Sequence, residues 1–190
     1  IQWKVVMPAV FTWLKELESG AIEIDLERTK EYAAGILKVQ GKGGSRMNGL
    51  VGSGTLGENS YLSTKQRISL LKSLSEVAKD YNVPLISGAA AETKEELATI
   101  VEGLATAGVD TVMVMPPKTK ELPSDEEMYS YFELAESTAR GAGVSVMPYN
   151  NPDAAGYHAL STELLLKLAE LPNIDALKIS TIDVSIIETM

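Results

Sequence analysis

Lys178 stands in the run Ala176-Leu177-Lys178-Ile179-Ser180-Thr181, whose residue types are those of a β-strand. Side chains alternate across a strand, so Ala176, Lys178 and Ser180 share one face while Leu177 and Ile179 share the other. The lysine therefore points away from its strongly apolar neighbours. If its face is enclosed, desolvation disfavours the ammonium and leaves a neutral amine able to attack a ketone carbonyl. The iminium so formed is an electron sink that eases making or breaking the carbon–carbon bond beside it. Tyr149, in Pro148-Tyr149-Asn150-Asn151-Pro152 at the end of the preceding strand-like run, is suited to relay protons to and from the carbinolamine. Taken singly, each has a plainer use: strand lysines commonly snorkel to solvent, and buried tyrosines commonly complete a core.

A second candidate is the loop Gly52-Ser53-Gly54-Thr55-Leu56-Gly57, which follows a strand-like run and matches the spacing of the dinucleotide fingerprint. In that fingerprint the third glycine opens a helix directly, because the pyrophosphate sits on the helix N-terminus. Here Glu58 to Leu62 intervene before the helix cap Ser63. The next strand, Leu85-Ile86-Ser87, runs into Gly88-Ala89-Ala90 and offers no acidic residue for a ribose. Dinucleotide binding is therefore disfavoured but stays open as a third reading, and a phosphate-binding P-loop is disfavoured further because no Gly-Lys-Ser/Thr follows. The same loop can instead present backbone N–H groups and one hydroxyl to a small anion such as a carboxylate, with Gly54 and Thr55 placed to do so. A tight turn that needs glycine for its backbone angles explains the segment equally well.

Positioning these residues requires a regular framework, and the chain repeats one. Apolar strand-type runs recur at Val5-Val6-Met7, Gly49-Leu50-Val51, Leu85-Ile86-Ser87, Thr111-Val112-Met113-Val114, Val144-Ser145-Val146-Met147 and Ala176-Leu177-Lys178-Ile179. Their nearly continuous apolarity predicts strands covered on both faces. Helices are expected between them, with capping boxes at Ser63 and Gln66, Thr93 and Glu96, and Ser124 and Glu127. Ile68, Leu71, Leu74 and Val77 form one predicted core stripe, and Leu97, Ile100, Val101 and Leu104 another. Alternating strands and helices imply parallel pairing through right-handed crossovers, in either a (β/α) barrel or an open doubly wound sheet. No linker divides the chain, since Gln40-Gly41-Lys42-Gly43-Gly44-Ser45 reads as a surface loop.

Composition narrows the partners. A chain of 190 residues, 45% hydrophobic and 23% charged, can bury a substantial core. Its net charge of -9, with no basic run to offset it, argues against nucleic acid and anionic membrane surfaces. The absence of cysteine removes disulfides and thiolate metal sites, and the lone His158 cannot supply clustered imidazoles. No cofactor or metal is expected, although composition leaves carboxylate-bound magnesium or calcium open. No apolar stretch approaches a membrane span and Ile1-Gln2-Trp3-Lys4 is not a signal peptide, so the expected location is cytoplasmic.

Taken in order, Gly54-Thr55-Leu56-Gly57-Glu58, Tyr149-Asn150-Asn151-Pro152 and Leu177-Lys178-Ile179-Ser180-Thr181 resemble the dihydrodipicolinate synthase and N-acetylneuraminate lyase family of Schiff-base aldolases. Met7-Pro8-Ala9-Val10-Phe11-Thr12, Ala107-Gly108-Val109-Asp110 and Pro116-Pro117 extend the similarity over essentially the whole chain. The resemblance implies a (β/α)8 TIM barrel, of which about six βα units are visible, with its active site at the C-terminal ends of the strands. It implies that Lys178 forms the Schiff base with pyruvate or a related 2-oxo acid and that Tyr149 shuttles protons. Gly54, Thr55 and Leu56 would bind the substrate, with Gly54 and Thr55 on its carboxylate and Glu58 holding the loop. An aldehyde is the second small-molecule partner, and a homotetramer or dimer is the usual assembly.

Leu56 replaces the family's second hydroxyl, which implies a larger or less polar substrate. Pro117-Lys118 stands where synthase members commonly carry paired tyrosines, and Asp153-Ala154-Ala155-Gly156 stands where an arginine binds the aldehyde's carboxylate. Both changes favour a pyruvate lyase, a sugar-acid aldolase or a hydratase-aldolase over a true 4-hydroxy-tetrahydrodipicolinate synthase. A relative that binds a 2-oxo acid without turning it over is the rival from another class. Since the barrel needs eight strands, residues 1–190 are expected to form a single barrel domain lacking its C-terminal βα units, or a sheet completed by a partner.

Overall fold

Serines start three of the helices, and each does there what a hydroxyl can do. In the computed structural model, which describes residues 6–41, 44–54, 57, 61–117, 119, 121–151 and 159–180, Ser63, Ser124 and Ser161 each accept the backbone N–H three residues on. At Ser63 and Ser124 the side chains of Gln66 and Glu127 reach back to the cap N–H, completing the expected boxes. Thr93 makes half of its box, accepting from Glu96 N–H at 3.2 Å. The described chain divides into two compact units, Ile1–Gly88 with Thr106–Asp110, and Ala89–Ala105 with Thr111–Met190.

In the first unit, β1 (Leu14–Glu16) and β2 (Ile22–Ile24) form a small antiparallel hairpin. Its turn uses Gly20 at φ 79°, a left-handed conformation that favours glycine. Helix α1 (Leu26–Lys38) follows the cap Asp25. Arg28 stacks its guanidinium over Trp13, 3.9 Å from the ring centroid, and Tyr32 packs edge-on to the same ring. Next come β3 (Leu50–Gly52), α2 (Thr64–Asp80) and β4 (Leu85–Ala89), with β3 and β4 parallel and Leu50 opposite Leu85. A Cβ on Gly52 would lie 2.7 Å from Leu74 and 2.9 Å from Leu71, so the glycine lets α2 seat closely on the strand. Those two leucines are fully buried, and burying a leucine contributes about 1.5–3 kcal/mol relative to exposing it. Asp110 fastens the start of β4 by accepting Leu85 N–H on its carboxylate at 2.8 Å and donating its own N–H to Leu85 at 2.9 Å.

The second unit alternates α3 (Lys94–Thr106), β5 (Thr111–Val114), α4 (Asp125–Gly141), β6 (Ser145–Asn150), α5 (Thr162–Ala169) and β7 (Lys178–Ile179). Strands β5, β6 and β7 pair in parallel, with Val114 opposite Pro148 and Tyr149 opposite Lys178. Leu97, Ile100, Val101 and Leu104 are the buried face of α3, as their spacing predicts. Met128, Phe132, Ala135 and Ala139 supply the buried face of α4. Tyr131 closes a loop by accepting Ala91 N–H at 3.0 Å and donating to Ala91 C=O at 3.1 Å.

Three expectations need adjustment. The first strand's bridge to β3 is Ala9 beside Val51, while the exposed Val6 is tied to Asn48, its C=O accepting Asn48 N–H at 2.8 Å and its N–H donating to the Asn48 side chain at 3.0 Å; Val5 lies outside the described residues. On α2 the buried stripe runs through Leu70, Leu71, Leu74 and Val77, leaving Ile68 half-buried. The last strand begins at Lys178, because Asn173 and Ile174 make the earlier contacts with β6 through Asn173 C=O to Val146 N–H at 3.1 Å. The capping box on α4 supports a prediction. Ser124→Ala is expected to lower unfolding stability by about 1 kcal/mol, read from the urea midpoint. The Ser124 backbone N–H, and then its hydroxyl, hold the Glu127 carboxyl below the ordinary glutamate range. A carboxyl so lowered contributes stability above its unfolded-state value and loses it as pH falls through the folded one. The gap between wild type and variant is therefore largest near neutral pH and narrows in acid.

Candidate active site

Parallel pairing between β6 and β7 sets Tyr149 beside Lys178 in register, so their side chains leave the same face of the sheet. The Lys178 Nζ lies over the Tyr149 ring, 3.9 Å from its centroid. Tyr149 is buried, and Lys178 and Ser180 are half-buried. The lysine is thus partly shielded rather than fully enclosed among the described residues. An ammonium at this distance is attracted to the aromatic face by about 0.5–2 kcal/mol, which keeps the amine next to the phenol.

The phenol oxygen is held from two sides. Asn151 donates its side-chain N–H to Tyr149 Oη at 3.0 Å, and the Ser180 hydroxyl stands 3.2 Å from the same oxygen. Ser180 N–H also donates to Asn150 C=O at 2.9 Å, continuing the β6–β7 pairing past the lysine. Asn150 points to the other face, where it is fully buried. Its amide accepts Leu160 N–H at 3.1 Å and donates to Leu160 C=O at 3.3 Å, pinning the far end of the loop that follows β6. A buried amide with both ends satisfied contributes rigidity, whereas one left unpaired costs stability. Asn150 was legible in the sequence only as part of a motif, and the roles of Asn151 and Ser180 toward the phenol were not anticipated. The alternation that put Ser180 on the face of Lys178 was the available signal.

The glycine loop belongs to the first unit. Gly54 is buried, and its carbonyl accepts Gly57 N–H at 3.0 Å, closing a tight turn. Ser53, just before it, is buried at φ 48°, a strained value for a residue with a Cβ. Thr12 ties down the turn by donating its hydroxyl to Gly57 C=O at 2.8 Å. Thr55, Leu56 and Glu58 lie outside the described residues, as do Lys118, Pro152 to His158 and Thr181. Among the described residues no group of acidic or imidazole side chains is arranged to hold a metal. None of their helices is long and apolar enough to cross a membrane.

Parallel strands alternate with helices, with the lysine and tyrosine on neighbouring strands, and the solved structures that superpose on the chain decide for a (β/α)8 TIM barrel, seen in part, over an open doubly wound sheet. Solved structures share this architecture. A prophage protein of the dihydrodipicolinic acid synthase family from E. coli K12, in complex with pyruvate, superposes with a TM-score of 0.82 at 24% identity, covering 98% of this chain and 57% of that one. The sialic acid aldolase of Ruminococcus gnavus superposes with a TM-score of 0.80 at 24% identity, over 97% of this chain and 56% of its own. The sequence model of the dihydrodipicolinate synthetase family matches residues 29–190. The 4-hydroxy-tetrahydrodipicolinate synthase of Bacillus velezensis is 36% identical over 132 residues, 68% of this chain and 43% of the relative. This chain belongs to the dihydrodipicolinate synthetase family. It spans about half the length of the curated relatives it matches, 43% of one and 54% of another.

Proposed function

We propose that residues 1–190 belong to one barrel domain of a lyase or aldolase that captures pyruvate or a related 2-oxo acid as a Schiff base on Lys178. The observation that carries this reading is the Lys178 amine seated 3.9 Å over the Tyr149 ring, with the tyrosine's hydroxyl held by two further side chains. Family membership supplies the context, and a sialic acid aldolase of the same fold has been solved as a catalytic lysine mutant. In this reading Lys178 attacks the ketone carbon, and Tyr149 gives its proton to the carbinolamine hydroxyl as water leaves. Loss of a proton from the adjacent carbon then yields an enamine that adds to an aldehyde, or the same steps run backwards to cleave one. On the family's sequence pattern, Gly54, Thr55 and Leu56 are proposed as substrate-binding residues, Gly54 and Thr55 for the carboxylate. A homotetramer or dimer acting in the cytoplasm completes the proposal, with no nucleic-acid or membrane partner.

Turnover is the test: the intact protein is expected to consume pyruvate only when an aldehyde is present, or to release pyruvate from an aldol. Binding of pyruvate without turnover of any aldehyde would instead favour a non-catalytic 2-oxo-acid-binding relative. Aspartate semialdehyde is expected to be a poor acceptor. Recognising it requires a cation for its carboxylate, and the stretch after Tyr149-Asn150-Asn151-Pro152 reads Asp153-Ala154-Ala155. Loss of charge-assisted pairing is expected to lower kcat/KM by about one to two orders of magnitude relative to neutral or sugar-acid aldehydes. A steady-state comparison with pyruvate decides it. If the semialdehyde gives the highest kcat/KM, the protein is a true 4-hydroxy-tetrahydrodipicolinate synthase, and Lys118→Ala should remove that preference.

A further inference from the structure

Tyr149 is held by residues that the reaction as described does not use. Its hydroxyl oxygen receives the Asn151 side-chain N–H at 3.0 Å and meets the Ser180 hydroxyl at 3.2 Å. The three side chains come from two strands, since Asn151 directly follows β6 and Ser180 directly follows β7. An amide N–H can only donate, so the Asn151 contact always makes Tyr149 Oη an acceptor. The Ser180 hydroxyl can donate or accept, so it can take the phenol's proton direction while Tyr149 is neutral and turn its own toward the oxygen once that proton has gone. The phenol ring is fixed separately, beneath the Lys178 amine.

We infer that Asn151 and Ser180 are positioning residues that stabilise the Tyr149 phenolate during proton transfer, a role that rests on the proposed Schiff-base reaction. The Tyr149 O–H bond breaks and its proton joins the carbinolamine hydroxyl. The carbon–oxygen bond breaks and water leaves, giving an iminium on Lys178 and a phenolate on Tyr149. Two donors then face the phenolate, the Asn151 amide and the reoriented Ser180 hydroxyl, and hydrogen bonds to a charged oxygen are the stronger kind. Hydrolysis of the product iminium reverses the transfer and restores the phenol. Both donors sit where they are needed before the charge appears, so no side chain has to travel when it does.

The experiment compares wild type with Asn151→Ala, Ser180→Ala and Ser180→Thr, in the intact protein, using pyruvate as the probe. Three assays are run: borohydride trapping of pyruvate, exchange of the pyruvate methyl protons for deuterium followed by NMR, and steady-state kinetics for kcat and KM. Wild type is expected to trap and to exchange. Asn151→Ala and Ser180→Ala are each expected to lower the exchange rate and kcat by about 10-fold, the scale of one hydrogen bond to a charged group. KM for pyruvate should move less than about twofold, because these residues do not touch the carboxylate. Ser180→Thr keeps a hydroxyl and is expected to recover exchange to within about threefold of wild type. Failure of wild type to trap pyruvate would overturn the Schiff-base reading and the inference with it. Normal trapping in wild type with unchanged exchange and kcat in both alanine variants would overturn the inference alone. Equal losses in kcat and in KM, unrescued by Ser180→Thr, would make the two residues packing elements and likewise overturn it.

Discussion

Replacing Lys178 with arginine is expected to reduce turnover by about 10⁴-fold or more, to background, with the fold intact. A guanidinium remains protonated at any pH the protein tolerates, so it has no lone pair with which to attack a ketone. It is expected still to lie over the Tyr149 ring, because arginine stacks well on aromatic faces and Lys178 is only half-buried. The ring contact is therefore retained while the nucleophile is lost. Steady-state assay with pyruvate and a neutral aldehyde, alongside circular dichroism to confirm folding, measures this effect. Turnover within tenfold of wild type would remove Lys178 from the chemistry.

Replacing Tyr149 with phenylalanine is expected to lower kcat by about 100-fold or more, the scale of losing a positioned acid or base. This substitution separates two functions of one side chain. The ring under the Lys178 amine remains, so the lysine keeps its place, while the hydroxyl that faces Asn151 and Ser180 disappears. Borohydride trapping should consequently persist at a reduced rate while catalytic cycling falls. The Asn151 amide and Ser180 hydroxyl lose a shared partner, but Ser180 is half-buried and can turn to water, so a large stability change is not expected. Unchanged kcat in Tyr149→Phe would make the tyrosine a packing residue.

Much of the framework was legible because its signals are local. A serine followed three residues later by Gln or Glu starts a helix through contacts within one turn, and the Ser63 and Ser124 boxes form as their residues predict. The stripe Leu97, Ile100, Val101 and Leu104 needed only helical spacing to be identified as core. The β1–β2 hairpin was not anticipated: its strands are three residues each, and Leu14-Lys15-Glu16 is exposed throughout, so it has no apolar run to announce it. Strand β7 is shorter than the apolar run around Lys178 implied, since Ala176 is exposed and pairing near Asn173 and Ile174 precedes it. At the site, alternation placed Lys178 and Ser180 on one face, but the register that sets Lys178 opposite Tyr149 depends on how distant strands pair. The aim of the Asn151 amide depends on that register and on the backbone after β6, which no local pattern encodes. The Gly54–Gly57 hydrogen bond forms a turn, but the left-handed backbone angle in this loop belongs to Ser53 at φ 48° and not to Gly54, so the expected need for glycine's backbone angles is not met at Gly54.

The Schiff base itself is the central claim, and one measurement reaches it directly. The intact protein is incubated with pyruvate, reduced with borohydride, digested and mapped by mass spectrometry. Capture of pyruvate as a secondary amine, with the modification on the peptide carrying Lys178 and absent from Lys178→Arg, is the predicted result. A stable adduct on any other lysine, or no adduct under conditions where the protein consumes pyruvate, would contradict the account.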